Sequence, residues 1–398
     1  MPFAGRSEPR AEEICAQADR SRPEPPVRDA IGVVRVLAIL GIVYVHAWTG
    51  RSAEHLNALS GTPQGLLRWA LIELLGRSAV PLLGAISGFL VAPSIARRSY
   101  GGFIGTKART ILAPMLLWNV IAMTLVGAFA TWGRLKGPVP SGPIEALDWL
   151  GCITGPNPIN VQIAFLRDLF LCMALAPLLA RAGDRRLWGV WALAVAWSVA
   201  PAVFPLMLRP PILVFFVSGM LARRHRLPER IASWPLFAAC APYALLIPVK
   251  IGLSVGAQGW TQAHPGFANL IDLPFRFAAA LALWRIAIAL APRGAGKAIL
   301  HAEPYAFLLF CAHLTFIWLF GPLIGLWTGK LGAPLYPAFL LLQPLLVLPA
   351  TIALGRGLQA LSPRLAGLLS GGRLAAPLPC APASVMGAPN PAGRRSFP

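Results

Sequence analysis

Apolar residues run through this chain in long blocks, separated by short polar stretches that hold most of its charge. Ten blocks stand out, at 31–49, 67–92, 111–132, 163–181, 187–204, 211–222, 235–253, 271–291, 304–327 and 334–355. A helix of about 20 apolar residues crosses the hydrocarbon core of a bilayer. The pattern therefore predicts an all-α, polytopic membrane protein with about ten transmembrane helices. The sixth block is short and can begin ahead of Arg209; the second and ninth are long enough to be tilted or broken. The ends lack this pattern. Residues 1–27 mix Arg, Glu and Pro without periodicity and read as a disordered cytoplasmic N-terminus. They are not a signal peptide, because acidic residues crowd the start and the first apolar block is too long. Residues 28–357 form the transmembrane domain. Residues 358–398 read as a flexible cytoplasmic tail, rich in Pro, Gly and Ala from 371 onward. The chain has no internal repeat and no appended soluble domain.

Composition sharpens the class. Of 398 residues, 56% are hydrophobic and 13% charged, and the mean hydropathy is +0.64. A soluble globular domain is excluded on these values. A formal charge of +20 points toward nucleic acid until its distribution is read. Of 35 Lys and Arg, 23 lie on one side of the ten blocks, 7 on the other and 5 within them. That is the positive-inside bias. It places both termini in the cytoplasm, supports an even number of spans and leaves nucleic acid unneeded as a partner. The basic side faces anionic headgroups instead, as expected of a multi-pass protein in a bacterial inner membrane.

Six scattered cysteines form no CxxC and no ligand spacing with His, so no metal site is expected. Cys152 is alone in the outer loops and predicts no disulfide there. No phosphate-binding glycine loop or Walker motif occurs, so ATP-driven chemistry is not indicated. The longest outer loop, 133–162, carries Gly155-Pro156-Asn157-Pro158 and the acidic pair Glu145 and Asp148. Loops of this length serve as lids or substrate entrances.

The candidate chemistry begins in the first block, where Arg35 and His46 lie eleven residues apart. At about 100° and 1.5 Å per residue they share one helix face, roughly 16 Å apart along the axis. Ionisable residues within a membrane mark functional sites by default. Glu73 and Arg77 form an i,i+4 pair in the second block, and Asp272 and Arg276 another in the eighth. Ser87-Gly88 permits close backbone approach by a neighbouring helix. Arg97, Arg98, Lys107 and Arg109 gather four cations on the cytoplasmic side, suited either to phosphate or to topology alone. Arg167 and Asp168 open the fourth block. As adjacent residues they point about 100° apart, so each is expected to find its own partner. His313 lies near mid-membrane in the ninth block, whereas His55, His225, His264 and His301 fall in loops or at block ends.

Together these stretches resemble the acyltransferase-3 family of integral membrane O-acyltransferases. Arg35 and His46 match that family's Arg-x10-His pattern. Val80-Pro81 through Ser87-Gly88-Phe89-Leu90 is similar to its Pro-hydrophobic-Ser-Gly-aromatic stretch, and Arg109 through Pro114 with Trp118 to its basic loop and following helix. Phe165-Leu166-Arg167-Asp168-Leu169 resembles its Trp-Phe-Leu-Arg-Asp-Leu form, with Ala164 where an aromatic is usual. Phe215 through Gly219 and Phe307 through His313 resemble the later helices, with Phe310 where Tyr is common.

The resemblance implies transfer of an acyl, most simply acetyl, group from cytoplasmic acyl-CoA to a hydroxyl of a glycan or related acceptor, with no permanently bound cofactor. His46 is then the general base, since histidine suits proton removal near neutral pH. Arg35 would stabilise donor phosphate or the developing oxyanion, and Glu73 would orient His46. The cations Arg97, Arg98, Lys107 and Arg109 would bind the donor. Arg167, Asp168 and His313 would orient substrate. The alternative from the residues alone is a secondary transporter or flippase using the intramembrane charges, although the halves show no repeat. The charge bias makes a direct prediction. Reporters fused after residues 60, 145 and 262 should report the outside, and those after 102, 184, 227 and 370 the inside. Two reversed reporters would break the map.

Overall fold

The computed structural model describes residues 25–133, 135–200 and 206–375. The expected disorder of 1–24, the outer-side Arg134 and the tail from 376 onward lie outside these residues. Every regular element among them is a helix. Seven are long and apolar enough to span a membrane: α2 (Pro63–Ala96), α3 (Tyr100–Thr131), α4 (Val161–Arg181), α7 (Leu236–Gly256), α8 (Pro265–Leu290), α9 (Gly294–Thr328) and α10 (Tyr336–Leu361). The other three expected blocks coincide with α1 (Pro25–Val45), α5 (Asp184–Val199) and α6 (Pro211–Arg224), of 21, 16 and 14 residues. The outward faces are those of a membrane protein. Only 6% of the most apolar window of α7 is buried, and Phe237, Leu245, Leu326 and Trp327 stand fully outward. Exposed apolar surface on this scale needs lipid to cover it.

Of the two long blocks, the second is irregular, with a π-helical stretch at Leu71–Arg77 within α2. The ninth is regular α-helix from Ala306 to Thr328, with a 3₁₀ turn at Glu303–Tyr305 where it begins. The π stretch lets the backbone of Gly76 meet that of Gly41 in α1, where a Cβ on Gly41 would sit 3.0 Å from the Leu75 carbonyl oxygen. Helix α1 packs centrally against α2, α8, α9 and α10.

The closest crossing joins α2 to α6. A Cβ on Gly88 would overlap the Phe216 carbonyl, and one on Gly219 would overlap the Ala85 carbonyl. The expected approach at Ser87-Gly88 is thus made by two glycines on facing helices, as small-residue packing in bilayers requires.

Two expectations are corrected. The first block does not continue as helix to residue 49; α1 ends at Val45. The indole of Trp48 fills the groove at Gly321 and Gly325 of α9. Its peptide N–H donates to Gln343 Oε1 at 2.8 Å, and its carbonyl accepts from Tyr336 Oη at 2.8 Å. These bonds satisfy the peptide groups of Trp48 outside the helix. The second correction concerns the tail. The start of the expected tail is helical: α10 runs to Leu361 and a short helix, α11 (Pro363–Leu369), follows. Ser362 caps α11 through its side chain and Pro363 occupies its first position, a strong start signal. Trp118 Nε1 donates to the Leu369 carbonyl at 3.0 Å, binding α11 to α3.

Because the atoms met at the α2–α6 crossing are backbone, no rotamer can make room. Gly219→Val should therefore cost about 1–3 kcal/mol or more of stability. A fall in the melting temperature of the detergent-purified protein would report this; Gly189→Val, where nothing lies within 4 Å, should leave it unchanged.

Candidate active site between two cavities

The shared face of α1 separates into two halves. Arg35 and Ile39 line a cavity of about 220 Å³ at the basic end of the bundle. Ile42 and His46 line a second, of about 1000 Å³, toward the opposite end. Leu83, Phe165 and Phe310 line both cavities and form the partition between them. Phe165 and Phe310 meet edge to face with ring centroids 5.7 Å apart.

His46 is half-buried at the inner wall of the larger cavity. The imidazole of His313, wholly buried on α9, lies behind it, with ring centroids 5.5 Å apart. His313 Nδ1 is 3.0 Å from the Leu309 carbonyl oxygen. A carbonyl only accepts, so Nδ1 carries the proton and a neutral ring presents Nε2 as an acceptor. Nε2 has no hydrogen-bond partner among the described residues. The sequence places two histidines in separate blocks; the fold makes them neighbours.

Glu73 lies elsewhere in the network. Its carboxylate accepts from Arg77 Nη1 at 2.7 Å and pairs with Lys250 Nζ at 3.2 Å. Lys250 also donates to Asp272 at 2.7 Å, and Asp272 accepts from Arg276 Nε at 2.5 Å. The two expected i,i+4 pairs are therefore one ladder, Arg77–Glu73–Lys250–Asp272–Arg276, joined through a lysine on α7. Arg77 and Arg276, its two ends, line the His46 cavity together with Arg209.

Arg167 and Asp168 depart from expectation. They pair with each other, Arg167 Nη1 to Asp168 Oδ1 at 2.9 Å. The length of the arginine side chain spans the angle between adjacent Cβ vectors. The buried carboxylate also accepts from the backbone N–H groups of Leu208 at 3.2 Å and Arg209 at 2.7 Å. Asp168 thus fixes the turn before α6 that presents Arg209 to the cavity.

At the basic end, Arg35 Nη1 donates to Glu303 at 2.9 Å. Lys107 lines the same cavity, as does Arg373 from beyond α11, whose guanidinium lies 4.0 Å from the Phe307 ring centroid. Arg97, Arg98 and Arg109 do not line it; Arg109 lies at a separate groove beside α11. Glu303 and Arg373 were not singled out from the sequence. A carboxylate opening the ninth block on a side otherwise rich in cations was a usable signal, whereas Arg373 depends on a chain reversal that composition disguised.

In the loop between α3 and α4, hydrogen bonds tie the acidic pair down locally. The side chain and backbone N–H of Ser141 hold the Glu145 carboxyl below its ordinary range. The backbone and hydroxyl of Thr154 do the same for Asp148. Among the described residues no group of His, Cys, Asp and Glu is placed to hold a metal.

Comparison with known proteins adds to this geometry. A family model described as an acyltransferase domain, acyltransferase-3, matches residues 28–355. The chain is 29% identical over 362 residues to the succinoglycan biosynthesis protein ExoH of Rhizobium meliloti (strain 1021), spanning 87% of this chain and 92% of that protein. No solved structure matches.

Asp168 supplies this subsection's prediction. Asp168→Ala leaves Arg167 and two backbone donors without their acceptor inside the bundle, a loss of about 3–5 kcal/mol. The variant should melt well below the wild type in detergent. Asp168→Asn, which keeps an acceptor oxygen, should fall between them. Equal melting of all three would remove Asp168 from its structural role.

Proposed function

The chain belongs to the acyltransferase-3 family, and from that premise we propose that it moves an acyl group across the partition between its two cavities. The donor is a cytoplasmic acyl-CoA held at the basic end, and the acceptor is a sugar hydroxyl in the larger cavity. The similarity to a succinoglycan biosynthesis protein favours a polysaccharide or its precursor as acceptor. The observation that carries the reading is the division of the first block between two cavities: Arg35 on α1 lines one, and His46, just past the end of α1, lines the other.

In this reading ten helices span a bacterial inner membrane with both termini inside, and residues 28–357 are the catalytic domain. His46 removes the proton of the acceptor hydroxyl as its oxygen attacks the thioester carbonyl. The C–S bond breaks, an ester forms, and the imidazolium returns its proton to the departing thiolate. His313 positions His46 by offering Nε2 as an acceptor to the ring in front of it. That role suits His313 better than Glu73, whose oxygens are taken by Arg77 and Lys250. Arg35 lies about 16 Å from His46 along the axis, too far for the oxyanion. It serves the phosphate end of the donor, with the pantetheine arm covering the interval. Lys107 shares that task. The bond to Glu303 orients the planar Arg35 guanidinium and leaves its remaining donors for the cavity it lines.

His46→Ala should lower acyl transfer about 10²–10⁴-fold with membrane insertion intact. His313→Ala should slow transfer less and change its pH profile, as expected for a group acting through His46. Labelled acetyl-CoA and isolated cell-surface glycan provide the assay. Near-normal transfer by His46→Ala would overturn the base assignment; a dead His313→Ala beside an active His46→Ala would move the active centre to α9.

A further inference from the structure

The short chain segment after α10 reverses direction and re-enters the basic-end cavity. We infer that this carboxyl-terminal hook, residues 362–375, is a donor-binding element and that Arg373 contacts the donor's phosphate groups. The inference rests on the acyl-CoA reading above.

Three features carry it. The first is the construction of the hook. Gly371 and Gly372 have φ of +63° and +86°, the left-handed region that glycine enters without strain. A Cβ on Gly371 would overlap the Thr110 carbonyl of α3, so the turn is seated directly on the bundle. Leu374 beyond it is buried at 3% exposure, its N–H donating to Ser370 Oγ at 2.9 Å. An arginine between a paired glycine turn and a buried leucine is held in place on both sides.

The second feature is charge. Arg35, Lys107 and Arg373 line the cavity against a single carboxylate, Glu303, already bonded to Arg35. The lining thus has an excess of positive charge. Burial and the neighbouring Arg35 push the Arg373 pKa down to about 10, which leaves it cationic at neutral pH. The third is geometry. Arg373 stacks on Phe307 and donates Nη1 to the Ser370 carbonyl at 3.2 Å. Guanidinium donors not so engaged suit phosphate oxygens. Away from these charges the lining is mostly apolar, with Val91, Leu166, Met173 and Phe307 beside the hydroxyls of Ser87, Ser94 and Thr110, and it offers room for the thioester arm. The hook lies beyond the residues matched by the family model, which end at 355.

The test compares binding of CoA and of pantetheine, which lacks the phosphates, to full-length protein in detergent. Arg373→Gln should weaken CoA binding about tenfold or more, the loss expected for one charge-assisted hydrogen bond, and leave pantetheine binding unchanged. Gly371→Val, which unseats the hook without removing a polar side chain, should have the same selective effect. Arg373→Lys should recover part of the affinity. Equal CoA affinity in the wild type and Arg373→Gln would overturn the inference while leaving the donor reading intact. Equal losses for CoA and pantetheine would overturn it too, by reducing Arg373 to a packing residue. A wild type that binds no CoA would instead overturn the donor reading on which it rests.

Discussion

The peptide of Trp48 is the point on which the site depends. In a bilayer, backbone groups released from a helix find no water to bond them, and each unsatisfied group costs several kcal/mol. Past the end of helix α1 at Val45, α10 supplies substitute partners for the Trp48 peptide. The side chain of Gln343 takes the Trp48 N–H and donates back to its carbonyl at 3.3 Å, while the Tyr336 hydroxyl bonds the same carbonyl. Gln343 and Tyr336 are themselves buried. Their bonds, with the Trp48 ring seated at Gly321 and Gly325, fix where the first helix ends. His46 is then placed just past the last helical turn, at the cavity wall beside His313, rather than within a regular helix facing a packed neighbour.

The partition sets a second constraint. Leu83, Phe165 and Phe310 stand between a cavity at the basic end and one toward the opposite end. An open channel of these combined dimensions would pass water and ions. Buried aromatic side chains in edge-to-face contact, Phe165 and Phe310, separate the cavities. Phe310 also approaches His313, with ring centroids 6.3 Å apart, so the partition and the histidine pair share one helix. A movement of that helix would alter both, which couples separation of the compartments to the arrangement of the imidazoles.

The sequence made helices and faces legible because both follow from period and length. Gly88 met a neighbouring backbone as expected, whereas His46 lies just beyond the end of the helix that carries Arg35, because the period of a block does not show where its helix stops. Partners between helices were another matter. Lys250 joins Glu73 to Asp272, yet nothing in its own surroundings, a lysine near the end of an apolar block, names either partner. Arg167 pairs with Asp168 although their Cβ directions diverge, because arginine is long enough to turn back. The hook does not stand out in the sequence because Gly, Ala and Pro composition suits a flexible tail and a tight packed turn equally. Ser362-Pro363 was the local signal that a helix restarts there.

The ladder from Arg77 to Arg276 shows how the half of the bundle around the His46 cavity tolerates so much charge. An isolated ion in this setting carries a penalty of several kcal/mol, and pairing offsets it only when the geometry is good and the spare donors are satisfied. Five alternating charges on α2, α7 and α8 satisfy this along their length, since each internal member bonds two of opposite sign. The sequence of signs begins and ends on arginine, leaving the ladder with one net positive charge. Its outermost guanidiniums are the members that reach the His46 cavity. The carboxylates are held behind them, so the ladder orients cations toward the cavity while their counter-charges stay out of its lining. The same arrangement that makes the helices compatible with one another thus decides the charge of the cavity beside His46, whose lining carries Arg77, Arg209 and Arg276 and no carboxylate.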